Sequence, residues 1–251
     1  GSHRRLLEHF LLPLPAATPL DPACVVDLGD GRPPVRIWRD PARWATEREQ
    51  QFPGSGRFWQ LCAALHQANW AFAGRDPVLP PRNLWDLAQL LPTLRPANLA
   101  SGLLITATVA DLLMLTGCGG DPRLRRFLDL QLRLYSQEPA DRTAALYGAT
   151  VLAMGQEPLG LWHLESSMQV LSQQLEQALA AAGGQLRLGH RVTQLERTGA
   201  GWVVHGEQPQ PFALAASDVV LALPVQSLSD LLPGQLPGGY RRRLASLPDP
   251  S

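Results

Sequence analysis

The sequence predicts an α+β fold, mainly helical in its earlier part and sheet-forming towards its end. Two patterns carry this. Between residues 40 and 155, apolar side chains recur at helical spacing in segments that open on Asp-Pro pairs and close on Gly or Pro. At Gly183-Gly184 the hydrophobic period switches from about 3.6 to about 2 residues, and alternating runs follow. A chain of 251 residues can bury a real core as one large domain or two modest ones. The patterns place a largely helical region over residues 1–160, with a short β-hairpin near 22–38. A helix, a hairpin and a final strand are expected over residues 161–251.

The elements follow in order. Arg4 to Leu12 has Leu6, Leu7, Phe10 and Leu11 on one side and stops at Pro13 and Pro15. CVVDLGDGRPPVRIWRD reads as a hairpin around a Gly-Asp-Gly turn. Asp40-Pro41 opens a helix, PARWATEREQQF, whose polar faces suit the surface. Ser55 is the expected N-cap of the next helix, in which Phe58, Leu61, Cys62, Leu65, Trp70 and Phe72 form a broad apolar face. After a Pro-rich loop comes NLWDLAQLL, then a Leu-rich helix over residues 101–115. That run is too short to span a bilayer, which takes about 20 residues, and it carries Asp111. Gly117 to Gly120 reads as an interhelical loop, Asp121-Pro122 opens RLRRFLDLQLRLYSQ, and a further helix is expected to be capped near Asp141. Met168, Leu171, Leu175 and Leu179 stripe a helix stopped by Gly183-Gly184. QLRLGHRVTQLER then alternates, WVVHG is its antiparallel partner, and DVVLALP, apolar on both faces, reads as a strand buried between layers.

Composition excludes several functions. Hydrophobic residues make up 45% and charged residues 18%, so the chain is globular. Zero net charge argues against a nucleic-acid partner held by phosphate neutralisation. All 22 Lys+Arg residues are Arg, which removes P-loop and Schiff-base lysines. Cys24, Cys62 and Cys118 are widely spaced and suggest a reducing compartment. The histidines show no metal-ligand spacing, and neither G-x-G-x-x-G, a Walker loop, HExxH nor a nucleophile elbow occurs. The carboxylates show no pair that spacing alone assigns as acid and base, so no catalytic side chain is named.

Seven tryptophans serve either core packing or an apolar ligand channel, for which Trp59, Trp70 and Trp85 are the candidates. Trp162 and His163, before a helix start, are candidate pocket residues or simple packing. DVVLALP, ending in small residues and then Pro224, would bring its carboxyl end to a crevice, where open α/β sheets bind ligands.

The succession of helix, GG, LRLGHRVTQLE, hairpin and SDVVLALP resembles the FAD-containing amine oxidase superfamily, and within it the carotenoid desaturase and isomerase branch. Ser167-Met168 stands where that branch commonly has Gly-Gly-Met. RIWRDPARW, QFPGSGRFW, GRDPVLPPRNLWDL and RLRRFLDLQLRLYSQ are similar to cyanobacterial carotenoid 3',4'-desaturases. The resemblance implies a two-domain FAD/NAD(P)-binding flavoprotein, represented by a mainly helical substrate domain and part of an FAD-domain sheet. It also implies an internal fragment, inactive alone, because the family's dinucleotide motif is missing from these residues. By the same resemblance FAD is the cofactor, with Val192 at the adenine and Ala222, Leu223 and Pro224 near the diphosphate and ribityl chain. The implied reaction is two-electron removal of hydrogen from a carotenoid, by a protein peripherally attached to the cytoplasmic side of a membrane. A carotenoid cis–trans isomerase of the same fold, or a non-enzymatic apolar-ligand or membrane module, are the alternatives.

Overall fold

A computed structural model describes residues 2–78, 80–93, 101–156 and 158–247. The chain divides into two compact units, Pro13–Val170 and Gly1–Leu12 with Leu171–Ser251.

In the Pro13–Val170 unit, β1 (Ala17–Pro19) pairs antiparallel with β4 (Trp162–Leu164). The expected hairpin forms from β2 (Cys24–Val26) and β3 (Val35–Ile37), with Cys24 opposite Ile37. Val35 and Ile37 point into the core while Arg36 between them is exposed, the alternation a half-buried strand requires. The helix α2 (Pro41–Gln51) starts as its sequence dictates: Asp40 accepts a hydrogen bond from Arg43 N at 2.7 Å, with proline in the first turn. It lies at the surface as expected, with seven of its eleven residues exposed and one face turned inward. Trp44 and Glu47 are buried, and the Glu47 carboxylate accepts from Arg36 N, Trp38 Nε1 and Gln51 Nε2. A polar residue can go inside when its oxygens are satisfied this way, which is why Glu47 sits on the inward face beside Trp44.

Ser55 likewise departs from its expected cap role. It precedes α3 (Gly56–Ala73) with non-extended dihedrals, donates to Phe52 O at 2.7 Å and accepts from Trp59 Nε1 at 3.0 Å. α4 (Leu84–Leu90) is capped by Asn83. The apolar run at 103–115 is not one helix: residues 103–106 turn, and α5 (Val109–Leu115) begins at a capping box. Thr108 Oγ1 accepts from Asp111 N, and an Asp111 carboxylate oxygen accepts from Thr108 N at 2.7 Å. The bond from Thr108 N, and after it one from the Thr108 hydroxyl to the same carboxylate oxygen at 2.9 Å, hold the Asp111 carboxyl below the usual carboxylate range. Their contribution is therefore present above the ordinary range and fades as acid protonates the folded carboxyl. Thr108→Ala is expected to cost about 1 kcal/mol of stability, measured by thermal unfolding.

α6 (Pro122–Ser136) is capped by Asp121, which accepts from Arg123 N and Leu124 N. α7 (Ala145–Leu152) begins later than expected and has no side-chain cap. Asp141 pairs with Arg125 at 3.4 Å instead, and the approach to the helix is set by a bridge between Thr108 and Ala144. Phe52, Phe58, Leu112, Leu124, Phe127, Leu128 and Leu132 fill the core of this unit. Gly148 in α7 faces Val109, where an added Cβ would collide with Val109 Cγ2. Gly148→Ala is expected to cost about 1–3 kcal/mol despite alanine's better helix propensity, a sign that denaturant unfolding would read directly.

The second unit contains α1 (Ser2–His9) and a three-stranded antiparallel sheet, with β6 (Gly201–Gly206) between β5 (Val192–Thr198) and β7 (Phe212–Ala216). The Gly-Gly stop is confirmed. After α8 (Gln169–Ala181), Gly184 N donates to Leu179 O and Gly183 N to Ala180 O, and Gly183 has a positive φ of 78°. Leu186 and Leu188 lie outside β5 and are exposed, so the alternation before Val192 does not mark a strand. The third strand is Phe212–Ala216, not Asp218–Pro224. DVVLALP has no ladder partner among the described residues and bends at Leu223, and Val220 is 93% exposed, which corrects the expectation of a buried strand. An apolar segment becomes a strand only where another strand accepts its backbone bonds, and none pairs with it among the described residues. The stripe on α8 is present in sequence but has no buried member. Two short helices not expected from the sequence follow, α9 (Leu228–Leu231) and α10 (Gly238–Ala245). No helix among the described residues is long and apolar enough to cross a membrane.

Candidate functional site

A half-open cavity of about 590 Å³ lies in the Pro13–Val170 unit, between α2, α3, α7 and the loop that follows α7. The α3 wall is a single helical stripe, Trp59, Cys62, Ala63, His66, Gln67 and Trp70, at spacings of three and four residues. Trp44 and Arg48, one turn apart on α2, face the stripe, and Ala149, Leu152 and Leu159 complete the apolar lining. α3 is tied to α7 through Asn69 Nδ2, which donates to Leu146 O at 2.9 Å.

The wall is rigid where it meets the core. The Trp59 ring packs edge-on against Trp44 at 5.7 Å and Phe58 at 5.1 Å, and the Ser55 hydroxyl fixes its indole N–H. The Arg48 guanidinium lies over the Trp59 and Trp44 rings at 5.0 and 5.4 Å. Burial lowers its pKa from the ordinary guanidinium value, with nearby Cys62 opposing the effect. Arginine nonetheless stays charged in proteins. Burial pushes the Cys62 thiol up to about 12, against an opposing pull from Arg48. Cys62 is therefore a thiol at neutral pH and an inert part of the wall. Alkylation of the folded protein at pH about 8 is expected to modify half-buried Cys24 and spare Cys62, as peptide mass mapping would show. His66 stacks on Trp70 at 5.9 Å, its Nδ1 is buried without a hydrogen-bond partner, and burial lowers its pKa.

Of the candidate substrate residues, the cavity brings together Trp59 and Trp70. Trp85 is 66% exposed on α4 and does not line it. Trp162 and His163 lie in β4, paired with Pro19 and Thr18, rather than in a loop. Trp162 is covered by Arg39 at 4.7 Å and donates from Nε1 to Leu159 O. Sequence reasoning missed Trp44, Arg48, Cys62 and His66. The spacing Trp59–Cys62–His66–Trp70, at intervals of three, four and four residues, was the available signal. Among the described residues no group of His, Cys, Asp and Glu could hold a metal ion.

The candidate cofactor residues belong to the other unit. Val192 opens β5 opposite Gly206, and the register slips between Val192 and Gln194, leaving Thr193 without a cross-strand partner. Ala222, Leu223 and Pro224 lie in the segment without a strand partner, bent at Leu223, before the turn at Val225–Ser227. Both places offer main-chain groups not used by the sheet, as contacts to an adenine edge or a ribityl chain require. Neither is a glycine-rich strand-to-helix turn of the kind that cradles a diphosphate.

The family model for flavin-containing amine oxidoreductases matches residues 117–249, more than half of the 251 residues. The chain belongs to this flavin-containing amine oxidoreductase family. No curated protein matches it. The flavin-containing family accounts for the cofactor, FAD, and for an oxidoreductase activity. The matched stretch takes in α6, α7, α8 and the whole β5–β6–β7 sheet, and so includes every candidate cofactor residue.

Proposed function

We propose that this chain serves an FAD-dependent oxidoreductase that desaturates a carotenoid, with the Pro13–Val170 unit as its substrate domain and the sheet unit as part of its FAD domain. The observation that supports the substrate class is the aromatic cavity. At about 590 Å³, walled by Trp44, Trp59 and Trp70, it has the volume and apolar character of a small-molecule site. Bound FAD would supply a two-electron acceptor for the hydrogen removed from the polyene. Val192 and Ala222–Pro224 would hold it through main-chain contacts. The cavity's indole faces would align a planar polyene and keep water from its chain. No side chain of the cavity is assigned a proton transfer in this proposal.

Access from a membrane is part of the proposal. Leu84, Trp85, Leu103, Ile105, Met114 and Leu115 are all large, apolar and at least 66% exposed, a set suited to peripheral contact with lipid on the cytoplasmic side. Liposome flotation is expected to carry the protein upwards. A chain that stays at the bottom at all lipid concentrations would remove this element.

The reaction is tested by expressing the gene carrying these residues in a carotenoid-accumulating host. The expected product has a red-shifted polyene spectrum and has lost two hydrogens. An isomerase would change the spectrum at constant mass. A flavin-loaded protein that leaves carotenoids unchanged would overturn the proposal.

A further inference from the structure

We propose that the Trp-lined cavity binds an amphiphilic acid, an apolar chain ending in one carboxylate, and that Arg48 is the residue that recognises the carboxylate. The Arg48 guanidinium is partly buried and lies against two indoles, 5.4 Å from the Trp44 ring and 5.0 Å from the Trp59 ring. No carboxylate or carbonyl among the described residues accepts a hydrogen bond from it. Cation–π contact does not use a guanidinium's N–H donors, which stay available to a ligand in the cavity. On the same wall the Nδ1 of His66 is buried without a hydrogen-bond partner, an unmet polar atom beside the cation.

The rest of the lining sets the ligand. Trp44, Trp59, Trp70, Leu152 and Leu159 demand an apolar body. Arg48 is the single formal cation among the lining residues, because burial favours the neutral form of His66. One positive charge matches one carboxylate, which a guanidinium meets with two parallel hydrogen bonds. A phosphate, carrying up to about two charges, would be left half neutralised. The inference uses the cavity proposed for the substrate but needs no flavin and no redox step.

The test is tryptophan fluorescence titration, checked by calorimetry, of the whole chain with dodecanoate, dodecanol and all-trans-retinoate. At least one acid is expected to bind roughly tenfold or more tightly than the alcohol. Binding of dodecanoate alone would mark a saturated acid, and of retinoate alone a polyene acid. Arg48→Gln is expected to erase the preference while changing alcohol affinity by no more than about twofold. Should that variant fail to fold by circular dichroism, Ala153→Trp, which fills the cavity and leaves Arg48 in place, is expected to abolish acid binding. An alcohol that binds as well as both acids, or an acid preference that survives Arg48→Gln, overturns the proposal. So does acid binding unaffected by Ala153→Trp. Acid binding without carotenoid oxidation would instead count against the reaction alone.

Discussion

Phe127→Ala is expected to destabilise the Pro13–Val170 unit by about 3–5 kcal/mol. Phe127 is 1% exposed and stands at the junction of the aromatic cluster. Its ring lies 5.1 Å from Phe52, 6.2 Å from Trp44 and 6.4 Å from Trp59. Removing it deletes buried area and leaves a void that those stiff rings cannot collapse to fill. Ordinary domains are stable by about 5–15 kcal/mol, so a single truncation could consume much of the total. Because Trp44 and Trp59 also wall the cavity, the same variant is expected to weaken ligand binding. Denaturant unfolding followed by fluorescence is the measurement, with Trp85→Ala as control. That exposed indole should cost no more than about 0.5 kcal/mol. Equal losses from the two substitutions would refute the assignment of the core.

The 251-residue chain by itself is expected to bind FAD in the millimolar rather than the micromolar range, a difference of about 4 kcal/mol in binding free energy. Much of a dinucleotide's affinity comes from a diphosphate seated on main-chain N–H groups at a helix N-terminus. These residues contain no G-x-G-x-x-G. Under the proposed function they offer only the slipped register at Val192 and the unpaired main chain of Ala222–Pro224, to the cofactor's flanks. Calorimetric titration with FAD reads the result. Micromolar binding would mean that another part of the chain cradles the phosphates.

Local signals were legible wherever a short stretch contains its own stabilising partner. Asp40-Pro41 and Asp121-Pro122 start helices because the cap oxygen and the amides it satisfies lie within three residues of each other. Gly183-Gly184 stops one because a left-handed residue and its two closing bonds are equally local. The same kind of signal at Thr108–Asp111 was overlooked inside a Leu-rich run, and a single long helix was expected there. DVVLALP failed for a different reason. Its apolarity says what a strand would bury but cannot provide the neighbouring strand, while Phe212–Ala216, poor in β-branched residues, became β7 by continuing the meander beside β6.

The sequence by itself determined the α+β class, most helix starts and stops, the two hairpins and the flavin-containing amine oxidoreductase family, all properties carried by contiguous residues. Tertiary structure alone decided which tryptophans share a cavity. It put Trp44 beside Trp59 and Trp70 while leaving Trp85 and Trp162 outside. It also set Arg48 against two indoles with no side-chain hydrogen-bond acceptor among the described residues. Those outcomes depend on how α2, α3 and α7 pack, and packing is fixed by the fit of whole helix faces rather than by the spacing within any one of them.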